Sequence, residues 1–225
     1  MRIAEIAEQL AVQPSAVIRF SKALGFGGFT EIQRILRTDL LQGNPSYFER
    51  LQLGRSAEGP LSRFAELGAQ SLQNLPAQPQ FDAAVQMLCA AETIHVLGLR
   101  RAFGVAAYFA YLLSGFDARV NQIEFLGHMN QASLSTLREG DLLFVISFPN
   151  YSEEVIDALA TASSRKTRTL ALTDSEVSPV AQKAELVLIT DQASSGGFRS
   201  AAGSMVTVQA LAIAFGEQMT AQRSP

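Results

Sequence analysis

The chain has 225 residues, 48% hydrophobic and 17% charged, which supplies a full core and does not suit a disordered chain. No apolar run reaches the roughly 18 residues of a membrane span, and the acids in MRIAEIAEQL do not suit a signal peptide. A net charge of −3 argues against a wholly basic nucleic-acid binder, and the single cysteine, Cys89, excludes a disulfide framework or zinc finger and makes a reducing cytoplasm the expected compartment.

The charge is uneven. Residues 1–55 hold seven Lys/Arg against five Asp/Glu, and residues 56–225 hold eleven against sixteen. A mildly basic head on an acidic body permits the head alone to meet DNA.

Residues 1–42 read as helices. Ile3, Ile6, Ala7 and Leu10 form a stripe at helical spacing, and Val12-Gln13-Pro14 reads as a tight turn with proline at the first position of the next helix. At 100° per residue, Val17, Phe20 and Leu24 fall on one side of that helix, and Ser15, Arg19 and Lys22 on the other, with Ile18 beside them. This is helix-turn-helix logic: small Ala7 lets the helices cross closely, Val17 plugs the angle, and the outer face enters the major groove. Arg19 offers a bidentate donor to guanine or phosphate, while Gln13, Ser15 and Ala16 stand at the helix start, near base edges. Lys22, Arg34 and Arg37 suit phosphate. The alternative is a helical hairpin whose charged face is merely solvated.

Gly-Asn-Pro and Gly-Pro breakers mark residues 43–60 as a linker. Residues 61–75 and 81–91 show helical spacing, and Cys89 in VQMLCAA reads as helix packing. From Thr93 onward, apolar strands (TIHVLG, ARVNQI, DLLFVIS, TRTLALT, ELVLIT) alternate with FGVAAYFAYLLSG, HMNQASLSTL, SEEVIDALATASS and SPVAQKA, all helix-like, and MVTVQALAIAFGEQM forms a last helix. Residues 61–225 are therefore expected to form an α/β domain, a five-stranded parallel sheet covered by helices on both faces, with ligands beyond the carboxyl ends of the strands.

The run AVQPSAVIRFSKALGFGGFTEIQ, with Arg19-Phe20 and the segment from Leu24 to Phe29, closely resembles the head of RpiR-type bacterial transcription regulators. Residues 81–220 resemble the sugar isomerase (SIS) domain, a three-layer αβα unit, that forms their body. The resemblance implies a dimeric or tetrameric DNA-binding repressor or activator, without cofactor or metal, whose SIS domain senses a phosphosugar and performs no chemistry. It also implies a further N-terminal helical segment, so the head, residues 1–42, is expected to be N-terminally incomplete.

In the SIS pattern a Ser-x-Ser-Gly-x-Ser/Thr loop follows the third strand and holds phosphate at a helix N-terminus. The matching stretch runs from Ser147 to Ser152: both end hydroxyls are present, Pro149 has replaced the middle serine, and Asn150 stands for glycine and would enter the left-handed region at a cost. Ser152 is expected to cap the helix beginning at Glu153-Glu154. After the first strand the family often has Gly-x-Gly-x-Ser; here it is Gly98-Leu99-Arg100-Arg101-Ala102, and one of the two arginines is expected to face the pocket and grip phosphate or carboxylate. The expected effector set is Gly98, Arg100, Arg101, Ser147, Asn150, Ser152 and His128. The blander alternatives are a strand end, a helix cap and a solvated arginine pair. In isomerases of this fold a glutamate and a histidine transfer protons. Glu124 and His128 would carry those roles in the alternative reading, a phosphosugar isomerase; a third reading is a module that assembles subunits. His95 reads as core. Arg199 and Ser200, in the Gly/Ser-rich stretch 194–205, would close over the effector, contact a second subunit or belong to a free loop.

Overall fold

The computed structural model describes residues 12–23, 29, 47–53, 59–75, 77–125, 130–190, 193–195 and 198–223. The chain divides into two compact units, Met1–Arg55 and Ser56–Pro225.

In the first unit, α1 spans Pro14–Ala23 and α2 spans Tyr47–Leu53, the latter inside the segment read as a linker. Proline opens α1, where no backbone donor is needed, and the Ala16 N–H donates to the Gln13 carbonyl at 2.8 Å to close the turn.

The second unit runs α3 (Pro60–Gln73), α4 (Phe81–Ala90), β1 (Ile94–Gly98), a 3₁₀ turn (Arg100–Ala102), α5 (Phe103–Ser114), β2 (Val120–Ile123), α6 (Asn130–Ser135), β3 (Leu142–Ile146), α7 (Glu153–Ser164), β4 (Arg168–Thr173), β5 (Leu186–Ile189), the two-residue strands β6 (Ser194–Ser195) and β7 (Phe198–Arg199), and α8 (Ala202–Arg223). The five long strands form one parallel sheet in the order β2-β1-β3-β4-β5. β3 lies at the centre and is buried along its whole length, which is why LLFVI is apolar without alternation. Successive strand residues point to opposite faces. Val96, Phe144, Ile146, Leu170 and Leu172 enter one core with Phe109 of α5 and Leu211 and Phe215 of α8. Leu97, Leu143, Val145 and Ala171 enter the other with Val155 and Leu159 of α7. The three-layer αβα architecture expected from the sequence is the one observed.

The register places the site. Gly98 pairs with Ile146, and Ile146 with Leu172. The loops after β1, β3 and β4 therefore leave the sheet side by side. The polypeptide 174–184 departs from expectation: SPVAQKA forms a series of turns instead of a helix. Its bonds mix three- and four-residue spacings, Lys183 N–H to Val180 O (3.2 Å) beside Gln182 N–H to Ser178 O (3.1 Å), and Pro179 supplies no donor.

The outer edge of β5 is covered by side chains. The Val187 N–H donates to Gln80 Oε1 (3.3 Å) and the Ile189 N–H to Gln78 Oε1 (3.2 Å), while Gln78 Nε2 donates back to the Ile189 carbonyl. The two glutamines are two residues apart, as are the two strand residues they meet.

Candidate functional site

Gln13, just before α1, and Ser15, Arg19 and Lys22 on it are exposed, with Ile18 40% exposed and Ala16 half-buried; Val17 is buried. Arg34, Arg37 and Leu24 lie outside the described residues. Phe20 corrects the sequence reading: it is 63% exposed and does not anchor the helix from behind. Ser21 takes that place, fully buried, its hydroxyl donating to the Val17 carbonyl at 2.8 Å. Val17 and Ser21 are one turn apart and set the buried line. Phe20 is turned about 60° from Val17 on the side away from Ser21.

At the carboxyl end of the sheet, Ser147 follows β3 and is buried; its N–H donates to the Leu172 carbonyl at 3.1 Å, fastening the loop to β4. Ser152, also buried, occupies the N-cap position of α7. The expected capping bond is absent: the Ser152 hydroxyl makes no bond to the helix, and its carbonyl receives the Val155 N–H at 3.1 Å. The N–H groups of Glu153 and Glu154 have no intrahelical acceptor, so a helix of twelve residues presents donors that Ser152 does not cap, and the positive end of its dipole, beside two buried serines. Asn150 is exposed and holds φ 70°, the left-handed conformation that glycine would otherwise supply.

The β1 loop repeats that feature. Arg100, exposed at the start of the 3₁₀ turn, has φ 55°. Of the five non-glycine residues with positive φ among the described residues, Arg100, Phe125 and Asn150 follow β1, β2 and β3. Backbone strain is thus concentrated where the strands end, a pattern typical of functional loops. The Arg101 guanidinium lies 5.8 Å from the centroid of the Phe148 ring, which joins the β1 loop to the β3 loop. We expect Arg100→Gly to be as stable as the parent or more stable, by up to about 1 kcal/mol, because the left-handed strain disappears, whereas Arg100→Ala keeps it. Urea titration of the two variants checks this.

Sequence reasoning missed several members of this edge. Thr173 closes β4 and Thr190 follows β5; both are fully buried, and the Thr190 hydroxyl has no partner among the described residues. Tyr151 donates to Asp174 Oδ1 at 2.7 Å. Burial, reinforced by that carboxylate, pushes the phenol up to about 12, so it remains a donor at every physiological pH. Arg199 lies close enough to oppose the shift and belongs to the β6–β7 hairpin, in which Ser194 pairs with Arg199. Periodicity could not reveal two-residue strands in a Gly/Ser-rich stretch.

His128 lies outside the described residues, and Glu124 is exposed after β2. His95 is core, as expected. Its Nε2 is 3.2 Å from Asp141 Oδ2 and its Nδ1 is 3.1 Å from Asn121 Nδ2; with Asp141 preceding β3 and also accepting the Arg138 N–H at 3.0 Å, this group sits at the amino end of the sheet, opposite the loops above. Among the described residues no group of three or more His, Cys, Asp or Glu side chains is placed to hold a metal.

Residues 1–43 match the family description "Helix-turn-helix domain, rpiR family", and residues 87–214 match "SIS domain". The two matches together define a helix-turn-helix transcriptional regulator with a SIS domain. The chain belongs to the RpiR family of such regulators. It is 24% identical over 192 residues to the uncharacterized HTH-type transcriptional regulator TTE0211 of Caldanaerobacter subterraneus subsp. tengcongensis, a match covering 84% of this chain and 67% of that protein. It resembles the sugar isomerase domain of the RpiR transcription factor from Sphaerobacter thermophilus (29% identity, TM-score 0.64, 72% of this chain and 90% of that one). The fold also matches Vibrio vulnificus NanR, solved with ManNAc-6P (23% identity, TM-score 0.66, 99% of this chain and 84% of that one). Among the described residues no helix is long and apolar enough to cross a membrane.

Proposed function

We propose that the head of this regulator binds an operator half-site through Gln13, Ser15, Ala16, Arg19, Lys22 and Arg34, and that its SIS domain senses a sugar phosphate or related anionic sugar metabolite without converting it. The observation that carries the sensing role is the amino end of α7, which the Ser152 hydroxyl leaves without a cap, in the loop after the central strand that also holds buried Ser147. Gly98, Arg100, Arg101, Asn150 and His128 complete the proposed effector set. The cation of Arg101, held over Phe148, replaces hydroxyls that the family loop would supply. The ManNAc-6P complex of NanR supports a phosphosugar as the ligand class.

The proposed partition is a head over 1–42, a linker over 43–60 and a sensing domain over 61–225, in a cytoplasmic protein. Self-association is supported by exposed apolar residues on two helices that pack together, Phe103 and Tyr111 of α5 with Val206 and Ile213 of α8. A homodimer or homotetramer would bring two heads to one operator, and an effector with different affinities for two arrangements would shift operator binding.

Thermal unfolding with glucose 6-phosphate and N-acetylmannosamine 6-phosphate tests the sensing role. A bound effector raises the midpoint by mass action, worth about 2.7 kcal/mol at a hundred times its Kd. Ser152→Ala is expected to lose most of that rise while its unliganded midpoint stays put, because the hydroxyl caps nothing. No rise with any phosphosugar or sugar acid overturns the sensing role, and steady aldose–ketose turnover favours the isomerase reading.

A further inference from the structure

We infer that Tyr151 and Asp174 are a positioning pair that holds the effector loop in its anion-accepting shape. The inference rests on the effector reading above and adds two residues that need not touch the ligand.

The loop does not keep its shape by local preference. Asn150 sits in the left-handed region, where a side chain is disfavoured by roughly 1–2 kcal/mol. Pro149 has no N–H to fasten, and Ser152 makes no capping bond. At the other end the loop is tied by the Ser147 N–H to Leu172 O. Toward α7 the phenol of Tyr151 supplies a side-chain tie, donating to Asp174 Oδ1 at 2.7 Å.

The acceptor is itself fixed. Asp174 directly follows β4, and its Oδ1 also lies 3.3 Å from the Thr173 hydroxyl. That hydroxyl is fully buried and 3.2 Å from Ser178 Oγ, which accepts the Ala181 N–H at 3.0 Å. The carboxylate is thus anchored to the end of β4 and to the turns that follow it. A phenol held on an anchored carboxylate fixes the backbone between Asn150 and Ser152, and that backbone aims the N–H groups of α7. A short bond to a charged acceptor is among the stronger kinds available for such a tie.

Three substitutions separate this role from charge and from packing. Tyr151→Phe removes the donor, Asp174→Ala removes the acceptor, and Asp174→Asn removes the negative charge but keeps an oxygen that can accept from the phenol. In the unliganded full chain, amide hydrogen exchange over 147–154 is expected to accelerate in Tyr151→Phe and Asp174→Ala. It should stay near the parent rate in Asp174→Asn, and the core amides 142–146 should be unmoved in all three. Affinity for glucose 6-phosphate should fall roughly tenfold in Tyr151→Phe and in Asp174→Ala. The double variant should be no worse than either single one, since the two residues act as a unit. Parent-like exchange in Tyr151→Phe overturns the pairing, as does an Asp174→Asn variant that behaves like Asp174→Ala. If the parent chain binds no phosphosugar or sugar acid, the effector reading itself has failed. Binding by the parent with unmoved exchange in the variants shows that only the pairing has.

Discussion

Gly98→Val is expected to lower the unfolding free energy by about 2–4 kcal/mol and to abolish effector binding in whatever fraction still folds. Gly98 ends β1, and its φ is not in the left-handed region, so the requirement is one of space. A Cβ built there would lie 2.6 Å from the Ala102 carbonyl oxygen and 2.9 Å from the Ala106 Cβ. Neither neighbour is the free end of a flexible side chain. The oxygen belongs to the 3₁₀ turn that carries Arg100 and Arg101, and Ala106 is fully buried in α5. Relief must come from moving the turn or the helix, and moving the turn withdraws Arg101 from Phe148. Against a typical total stability of 5–15 kcal/mol, such a loss is large. Gly104→Ala is the matched control. That glycine is exposed in α5, and a Cβ added to it would meet nothing within 4 Å, so alanine is expected to be neutral or mildly stabilising. Urea unfolding of both variants, followed by thermal shift with glucose 6-phosphate, checks the prediction.

Arg19→Ala is expected to weaken operator binding by about ten- to a hundredfold, the range for losing one good bidentate base contact. The side chain is exposed on α1, and Ser15 and Lys22 are exposed with it, so its removal should leave folding unaffected. If Arg19 reads guanine, discrimination at one base pair relaxes. If it binds phosphate, affinity falls evenly across sequences and the dependence on salt becomes shallower by about one ion. Titration of a duplex operator at two or more salt concentrations separates these outcomes. Unchanged affinity would remove Arg19 from the interface.

The sheet was legible because its three inner strands, β1, β3 and β4, are buried on both faces: an uninterrupted run such as LLFVI fits few other environments. The head was legible in outline and misread in phase. Hydrophobicity alone assigned Phe20 to the buried side, and the residue that takes the place is a serine, acceptable there because its hydroxyl bonds within its own helix. A polar residue satisfied locally leaves no trace in an apolar pattern. The same limit applies to the site. Ser147, Asn150, Ser152 and the two arginines could be found by their place after a strand, but the absence of a capping bond at Ser152 and the fastening of Tyr151 depend on atoms brought together from different loops. Residues 178–184 failed for another reason: their apolar spacing suits a helix, while Pro179 and mixed bond spacings give turns.

The pair of glutamines along β5 carries a chemical liability. A primary amide mimics a peptide group because it donates and accepts at once, and Gln78 uses both functions on Ile189. Ageing by hydrolysis to glutamate would keep the acceptor, erase the donor and set a second anionic oxygen against the Ile189 carbonyl. The outermost ladder would then stand open to any extended peptide able to supply the missing N–H, so an old preparation should clump at this margin of the sheet before its interior has loosened.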